Sequence, residues 1–187
     1  NYKVAKQADT LMTYYNLEVE EIDNIIYNLG YNLPKGYLEK NLHYYLKRTS
    51  HGSTLSRVVH AQLANIIDDK KLSWDLYINA LTSDYSDIQG GTTAEGIHAG
   101  VMAGTIMIAI TTFGGVDLRG NILKINPNLP DHWKQISFSR TFKKVNYQIE
   151  VSSEKIIICS DKSVNVIVRN KEIGVVCDEK TEFITKK

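Results

Sequence analysis

Residues 94–115 read AEGIHAGVMAGTIMIAITTFGG, and this stretch separates two kinds of sequence pattern. Apolar residues surround nearly the whole of a helix drawn over residues 94–113, which is typical of a helix buried at the centre of a domain. Before it, apolar residues recur at helical spacing; after its terminal glycine pair they alternate, as in half-buried strands. The pattern predicts a helical part over residues 1–117 and a small β part over residues 118–187.

The helical part contains further segments with helical periodicity. They cover residues 2–15, 20–29, 38–47, 53–67 and 72–85. Successive helices joined by loops of varied length suit an α/α toroid, of which these helices make only about half. The chain also starts without methionine inside a helical pattern, so we expect it to be part of a longer protein.

Two helices carry more specific expectations. For the helix over residues 53–67 we expect a buried face made of Leu55, Val58, Val59, Gln62, Leu63 and Ile66. In the helix over residues 94–113, Gly100 and Gly104 are spaced one turn apart. Because glycine has no Cβ, these positions predict close approach of another helix or of a ligand.

The second part contains short segments in which apolar residues alternate with polar ones. They cover residues 122–127, 135–142, 145–151, 156–159, 164–168 and 173–177. Strands at this spacing predict a small antiparallel β-sandwich. The predicted fold class is therefore α+β, with helices first and strands second.

Composition excludes several classes of partner. The chain has 187 residues and a formal net charge of +1, so its charge favours neither nucleic acid nor an anionic membrane. The longest apolar run, residues 97–113, is shorter than the roughly 18–20 residues that span a bilayer, and we expect a cytoplasmic protein. His51, His60 and His98 lack further ligands at metal-binding spacing, so no metal is expected.

Three polar segments at predicted helix starts could carry chemistry. They are Lys6-Gln7, His51-Gly52-Ser53, and the segment that contains Gly91, Thr92, Thr93 and His98. Backbone N–H groups at a helix start favour an anion, and glycine lets the backbone come close to a ligand. A tetrahedral anion needs several donors, and the second and third segments supply hydroxyls, N–H groups and imidazoles.

The first two segments also have purely structural interpretations. Lys6 and Gln7 can belong to a solvated helix face. The second segment can be a loop in which Ser53 or Thr54 caps the following helix. His60 lies within that helix, so we expect it to be a packed, hydrogen-bonded core histidine rather than a ligand.

Glu95 has two interpretations that the sequence leaves open. With Thr92 it fits a capping box, in which each side chain bonds the backbone N–H of the other residue. Alternatively, it acts as a general base. The capping box does not account for the glycines, for Thr93 or for His98.

Together these motifs resemble the C-terminal part of glycoside hydrolase family 65, the family of maltose, trehalose, kojibiose and nigerose phosphorylases. The motifs are KQAD at residues 6–9, HGSTLS at 51–56, GGTTAEGIH at 90–98, GGV at 114–116 and INPNLPDHW at 125–133. The resemblance implies the last helices of an (α/α)6 barrel, followed by the family's C-terminal β domain. It implies inverting phosphorolysis of an α-glucosidic disaccharide (maltose, trehalose or kojibiose type) to β-glucose 1-phosphate and glucose.

The resemblance also assigns roles to residues of this chain. Lys6 and Gln7 would hold the glucosyl unit. Phosphate, the co-substrate, would be bound by His51, Gly52, Ser53, Gly91, Thr92, Thr93 and His98. No other cofactor is implied.

The family's general acid is a glutamate in a motif for which this chain has no match. We therefore expect no catalytic residue in this chain and no activity from the chain alone. The remainder of the parent polypeptide is an expected partner, and the resemblance suggests a homodimer for the full enzyme.

Two other functions remain open from the sequence. One is a family 65 α-glucoside hydrolase with Glu95 as the general base that activates water. The other is a non-catalytic carbohydrate-binding module that uses Trp133 and Tyr147 on an exposed β face. Against the second, both aromatic residues can simply pack the β part against the helices.

Overall fold

The computed structural model describes residues 4–86 and 96–185, and the chain divides into two compact units. The first unit is Asn1–Ile108 and the second is Ala109–Lys187. The domain boundary expected between residues 117 and 118 lies C-terminal to this division after Ile108. As a domain boundary of the whole protein it stays a prediction.

The first unit is helical. Its helices are α1 (Met12–Asn16), α2 (Val19–Asn28), α3 (Tyr37–Leu46), α4 (Leu55–Ile66), α5 (Lys70–Leu81) and α6 (Ala99–Met107). A π-helical turn, Ile108–Phe113, continues α6. The backbone N–H of Gly114 donates to the carbonyl of Ala109 at 2.9 Å, the five-residue spacing of such a turn.

The helix predicted over residues 2–15 is wrong in its first half, because α1 begins only at Met12. Ala5 instead forms a parallel bridge with Thr49. The N–H of Ala5 donates to Arg48 at 3.0 Å, and its carbonyl accepts from Ser50 at 2.9 Å. A backbone that gives both of its polar groups to another segment cannot also use them within a helix.

Helix α4 is the centre of the first unit and packs against α1, α3, α5 and α6. Its predicted buried face is right for Val58, Val59 and Leu63, which are at most 2% exposed. It is wrong at the ends, because Leu55 is 43% and Ile66 is 38% exposed. Since neighbours cover α4 on several sides, its small and polar residues are buried as well: Ser56, His60, Ala61 and Ala64.

Helix α6 differs from the predicted helix over residues 94–113 at its start, since it begins at Ala99 with His98 as N-cap. It is not buried all round: Val101 is 3% exposed, but Ile106 is 63% exposed. The close approach predicted at its glycines occurs at one of them. A Cβ on Gly104 would lie 2.9 Å from Val58 Cγ2, whereas nothing lies within 4 Å of one on Gly100.

The second unit consists of two four-stranded sheets. One contains β1 (Val116–Asp117), β2 (Lys124–Ile125), β6 (Val164–Val168) and β7 (Lys171–Val175), in that order. The other contains β3 (Gln135–Phe142), β4 (Val145–Ser152), β5 (Lys155–Ser160) and β8 (Thr181–Ile184), all antiparallel. Buried residues of both sheets form one apolar cluster, so the sheets make a sandwich.

The predicted α+β class is confirmed, with one departure in the β part. Strands β2 and β6 pair in parallel, so the first sheet is mixed rather than antiparallel. A positive φ of 71° at Gly115 lets the chain enter this sheet, where a Cβ would lie only 2.1 Å from the backbone of Asn126. Among the described residues, no helix has both the length and the apolar character to cross a membrane.

Candidate active site

The segment that contains Lys6 is joined to the loop that contains Gly52 by backbone hydrogen bonds. The carbonyl of Lys6 accepts from the N–H of Gly52 at 3.0 Å and from Ser50 Oγ at 3.3 Å. These bonds extend the bridge between Ala5 and Thr49. The structure therefore brings together two segments whose motifs are separated by more than forty residues.

His51 and Gly52, the two central residues of the loop, have different structural roles. His51 adopts a left-handed conformation, with φ of 50°, which is uncommon for a residue with a side chain. A Cβ on Gly52 would lie 3.3 Å from Lys6 Cγ, so glycine allows the close approach of the two segments. The turn is therefore made at His51, and Gly52 keeps room for the neighbouring chain.

The side chains of Lys6 and Gln7 are exposed at the surface of this unit. The amide nitrogen of Gln7 donates to Asp9 Oδ1 at 3.0 Å, which orients its carboxamide. Ala8, between them, is 5% exposed and belongs to the apolar cluster beneath. The buried alanine anchors the segment, and the two polar side chains are presented to solvent.

His60 is confirmed as a packed, hydrogen-bonded histidine. It is fully buried, and its Nδ1 lies 2.7 Å from the carbonyl oxygen of Ser56. Because a carbonyl only accepts, Nδ1 carries the proton, and burial lowers the pKa of the ring. Its ring lies edge-on to that of His51, with centroids 5.1 Å apart.

His51 is neutral at physiological pH. Burial, together with the nearby His60 and Arg57, lowers its pKa from 6.5 to about 4. A neutral imidazole has one donor and one acceptor nitrogen, so it can hydrogen-bond an anion but adds no charge of its own. Helix α4 begins directly after this loop, with Thr54 as N-cap and without a capping bond from the threonine side chain.

His98 is held by a residue that the sequence did not indicate, Asp84. One carboxylate oxygen of Asp84 accepts the backbone N–H of His98 at 2.7 Å, and the other lies 2.6 Å from His98 Nδ1. Both side chains are largely buried, with 14% and 29% exposed. This contact fixes the orientation of the ring. His98 was expected one turn inside the helix, but it stands at the N-cap because Asp84 satisfies its backbone there.

The remaining predicted phosphate donors, Gly91, Thr92 and Thr93, lie outside the described residues, as does Glu95. Their roles, including the capping box, stay predictions. The close contact between Gly104 and Val58 joins the second half of α6 to the first turn of α4. Within the described ranges, no group of three or more histidine, cysteine, aspartate or glutamate side chains could hold a metal ion.

The aromatic platform suggested for a carbohydrate-binding module is wrong. Tyr147 is 3% exposed and belongs to the core of the second unit. Trp133 is half-buried and lies edge-on to Phe113, with ring centroids 5.5 Å apart. Alternation along β4 directs Tyr147 to the interior, so it cannot form an exposed aromatic surface together with Trp133.

Comparison with known proteins finds the same family in both units. The model described as the central catalytic domain of glycosyl hydrolase family 65 matches residues 1–107. The model of the family's C-terminal domain matches residues 116–175. The two matches together span most of the chain.

Several similar curated proteins are named as phosphorylases of disaccharides. A trehalose 6-phosphate phosphorylase of Lactococcus lactis is 39% identical over 99% of this chain and 24% of its own length. A kojibiose phosphorylase of Caldanaerobacter subterraneus is 30% identical over 92% of this chain and 21% of its own length. The chain therefore spans about a quarter of the length of these relatives, or less.

A solved structure has the same fold over nearly the whole chain. It is provisionally described as a kojibiose phosphorylase from the human microbiome, and it superposes with a TM-score of 0.78 at 27% sequence identity. The match covers 98% of this chain and 25% of that one.

Proposed function

Because this chain belongs to glycosyl hydrolase family 65, we propose that it forms the C-terminal part of an inverting disaccharide phosphorylase. The full protein would cleave an α-glucosidic disaccharide with inorganic phosphate. The products would be β-glucose 1-phosphate and glucose. Phosphate would attack from the face of the sugar opposite the leaving group, where an inverting hydrolase holds its water.

The backbone pairing of the Lys6 segment with the His51–Gly52 loop carries this proposal. The carbonyl of Lys6 accepts from the N–H of Gly52, so a sugar held by Lys6 and Gln7 would lie beside a phosphate held by the loop. Direct displacement requires the two reactants to be next to each other and aligned. The N-terminal end of α4 adds backbone donors that favour an anion.

His98 would be a further donor to phosphate. Asp84 contacts Nδ1 of its ring at 2.6 Å, which orients the ring. The leaving oxygen still needs a proton from a carboxylic acid. We place that acid in the part of the protein outside this chain, and we expect the full enzyme to be a homodimer.

The proposal does not specify which disaccharide is the substrate. Relatives carry names for trehalose 6-phosphate, kojibiose, trehalose and nigerose. The relative that is 39% identical is named for trehalose 6-phosphate, so phosphorylated and unphosphorylated disaccharides both belong in the substrate panel.

The test is an assay of the full-length protein that contains this chain, with each disaccharide in the presence and absence of phosphate. We expect glucose 1-phosphate of β configuration, formed only with phosphate. Lys6→Ala should reduce the rate at least tenfold, whereas Lys40→Ala, which removes an exposed charge from α3, should not. Equal cleavage without phosphate would replace this proposal with the hydrolase in which Glu95 is the base.

A further inference from the structure

A cleft lies between α2 and the loop that leads into α3, and we call it the α2–α3 cleft. Its volume of about 480 Å³ falls within the ~300–1,000 Å³ range of small-molecule sites in proteins. Helix α3 has ten residues and is therefore about 15 Å long. The cleft is at the start of this helix, whereas Thr49, which forms the bridge with Ala5, follows its end. The sugar and phosphate positions proposed above therefore do not include it.

The lining of the cleft combines aromatic rings with uncharged and charged hydrogen-bonding groups. Three tyrosines, two asparagines and an aspartate contribute to it: Tyr27, Tyr31, Tyr37, Asn24, Asn32 and Asp23. Small-molecule sites typically have this composition, in which apolar and aromatic surface surrounds a few polar groups that fix the orientation of the ligand.

Two of the tyrosines are held in place by the backbone at the end of α2. Gly30 adopts a left-handed conformation, with φ of 85°. Its N–H donates to the carbonyl of Tyr27 at 2.9 Å, and the N–H of Tyr31 donates to the carbonyl of Ile26 at 3.1 Å. These two bonds make a Schellman motif, which fixes the backbone of both tyrosines. Their side chains are nevertheless 70% and 68% exposed, so the rings offer accessible apolar surface.

The third tyrosine joins the two sides of the cleft. Tyr37, the first residue of α3, is half-buried, and its hydroxyl donates to Asp23 Oδ1 of α2 at 2.8 Å. Burial and the neighbouring carboxylate raise the pKa of Tyr37, so its hydroxyl stays protonated and keeps this bond. The bond orients the carboxylate of Asp23, which can accept several hydrogen bonds and so retains capacity for a ligand.

The charge of the lining favours a neutral ligand. Asp23 is the one acidic and Lys35 the one basic residue among the residues that line the cleft, so their formal charges cancel. The lining contains no arginine, the residue that binds phosphate through paired hydrogen bonds. Amide and phenol groups can both donate and accept hydrogen bonds, which suits a ligand with many hydroxyls.

We propose that the α2–α3 cleft binds a neutral saccharide. A sugar ring has apolar C–H faces and a rim of hydroxyls. The faces contact the rings of Tyr27 and Tyr31, each of which has an apolar body and a polar tip. The hydroxyls bond the carboxylate of Asp23 and the amides of Asn24 and Asn32. This site is additional to the proposed phosphorolysis and does not depend on it.

The experiment uses maltotriose as a neutral saccharide and the full-length protein that contains this chain. Lys6→Ala is introduced first, to weaken the sugar position already proposed. Calorimetric titration should still show binding of maltotriose but not of sorbitol, which has hydroxyls and no ring. Tetranitromethane should nitrate Tyr27 and Tyr31, and maltotriose should reduce this nitration at least threefold, as measured by mass spectrometry of peptides.

Variants connect the binding to the two exposed rings. Tyr27→Ala combined with Tyr31→Ala should weaken maltotriose binding at least tenfold, whereas the two Tyr→Phe changes keep the rings and most of the affinity. Leu29→Ala is the matched control, because it removes a side chain of the same turn that is 65% exposed and does not line the cleft. Without Lys6→Ala, the alanine pair should leave kcat and KM for the disaccharide unchanged.

Two results would overturn the inference. One is equal affinity for maltotriose with and without the alanine pair. The other is absence of nitration at Tyr27 and Tyr31 in the ligand-free full-length protein, which would show that another segment of that protein covers the cleft. Neither result depends on the formation of glucose 1-phosphate, so the proposed function and the α2–α3 cleft can fail separately.

Discussion

His51 combines two costs, a left-handed backbone and a half-buried imidazole beside another basic ring. Local strain of this kind persists where surrounding structure holds it in place, and it is often found at functional sites. Here the backbone bonds to the Lys6 segment hold the loop. A neutral imidazole has one donor and one acceptor nitrogen.

The lowered pKa of His51 predicts a pH dependence of stability. The ring titrates near 6.5 when unfolded and at about 4 when folded, so the unfolded chain binds the additional proton between these values. Stability is therefore complete above pH 6.5 and falls as pH decreases towards 4, by about 1–3 kcal/mol. Urea unfolding across this range should show a smaller decrease for His51→Gln than for wild type.

The exposed histidine of α3 supplies the control for this measurement. His43 lies at the surface near Glu39, so His43→Gln makes the same chemical change at an exposed position. A His51→Gln chain that loses as much stability as wild type between pH 6.5 and 4 would contradict the assigned cause.

Asp84 is a positioning residue for His98, and its effect should be specific for phosphate. Asp84→Asn removes the charge beside Nδ1 and one acceptor, so the ring loses its fixed orientation. In the full-length enzyme we expect KM for phosphate to rise about tenfold while KM for the disaccharide changes little. Asp75→Asn, on an exposed ion pair with Lys71, should change neither constant. A parallel rise of both constants would indicate a purely structural role.

The residue types in the sequence indicate some of the candidate site residues but not others. Lys6, Gln7, His51 and His98 stand out because they occur in motifs with glycine or hydroxyl neighbours. Asp84 does not stand out, since an isolated aspartate in a loop is ordinary. Its significance comes from its contacts with the backbone and ring of His98 in the folded chain.

At the scale of elements, helical and strand periodicity predicted where most elements lie but not how they end or pair. The predicted start of the first helix was wrong because a distant segment takes the hydrogen bonds of Ala5. Alternation indicated β2 and β6 as strands, yet gives no information on which strands become neighbours or in which direction. Where an element begins and which strand it pairs with depend on residues that are distant in the sequence. The local spacing of apolar residues does not encode this information.

The contact between α4 and α6 predicts opposite results at two glycines of one helix. Gly104→Ala would place Cβ 2.9 Å from Val58 Cγ2, so we expect a loss of about 1–3 kcal/mol from overpacking. Gly100→Ala meets nothing within 4 Å and should be neutral or add up to about 1 kcal/mol. Chemical denaturation of both variants measures the difference.

Val58→Ala offers a second check on the same contact. Combined with Gly104→Ala, it removes the methyl groups that clash, so the two losses should be less than additive. Additive losses would show that the cost of Gly104→Ala arises elsewhere.

At the scale of the whole molecule, the chain carries residues for which we propose sugar and phosphate binding, but it spans only 24% of a relative that is 39% identical. The family and the α+β class were predictable because several ordered motifs occur along one chain. The substrate was not, because the residues that distinguish one disaccharide from another are not identified by any motif in this sequence.

Incomplete coverage predicts the behaviour of the isolated chain. The 187-residue chain has no match to the general-acid motif, so it should form no glucose 1-phosphate from any disaccharide in the panel with phosphate. Coupled enzymatic detection of glucose 1-phosphate measures this, with the full-length protein as positive control. Turnover above background would show that the acid lies within this chain.

The bridge between Ala5 and Thr49 has a thermodynamic consequence for a reaction with two substrates. If the sugar orders one side of the bridge and phosphate orders the other, each ligand stabilises the conformation that the other requires. Linkage then makes the coupling reciprocal: sugar must increase the affinity for phosphate by the same factor by which phosphate increases the affinity for sugar. The enzyme would therefore favour the ternary complex over either partial complex, and neither substrate would be held tightly without the other.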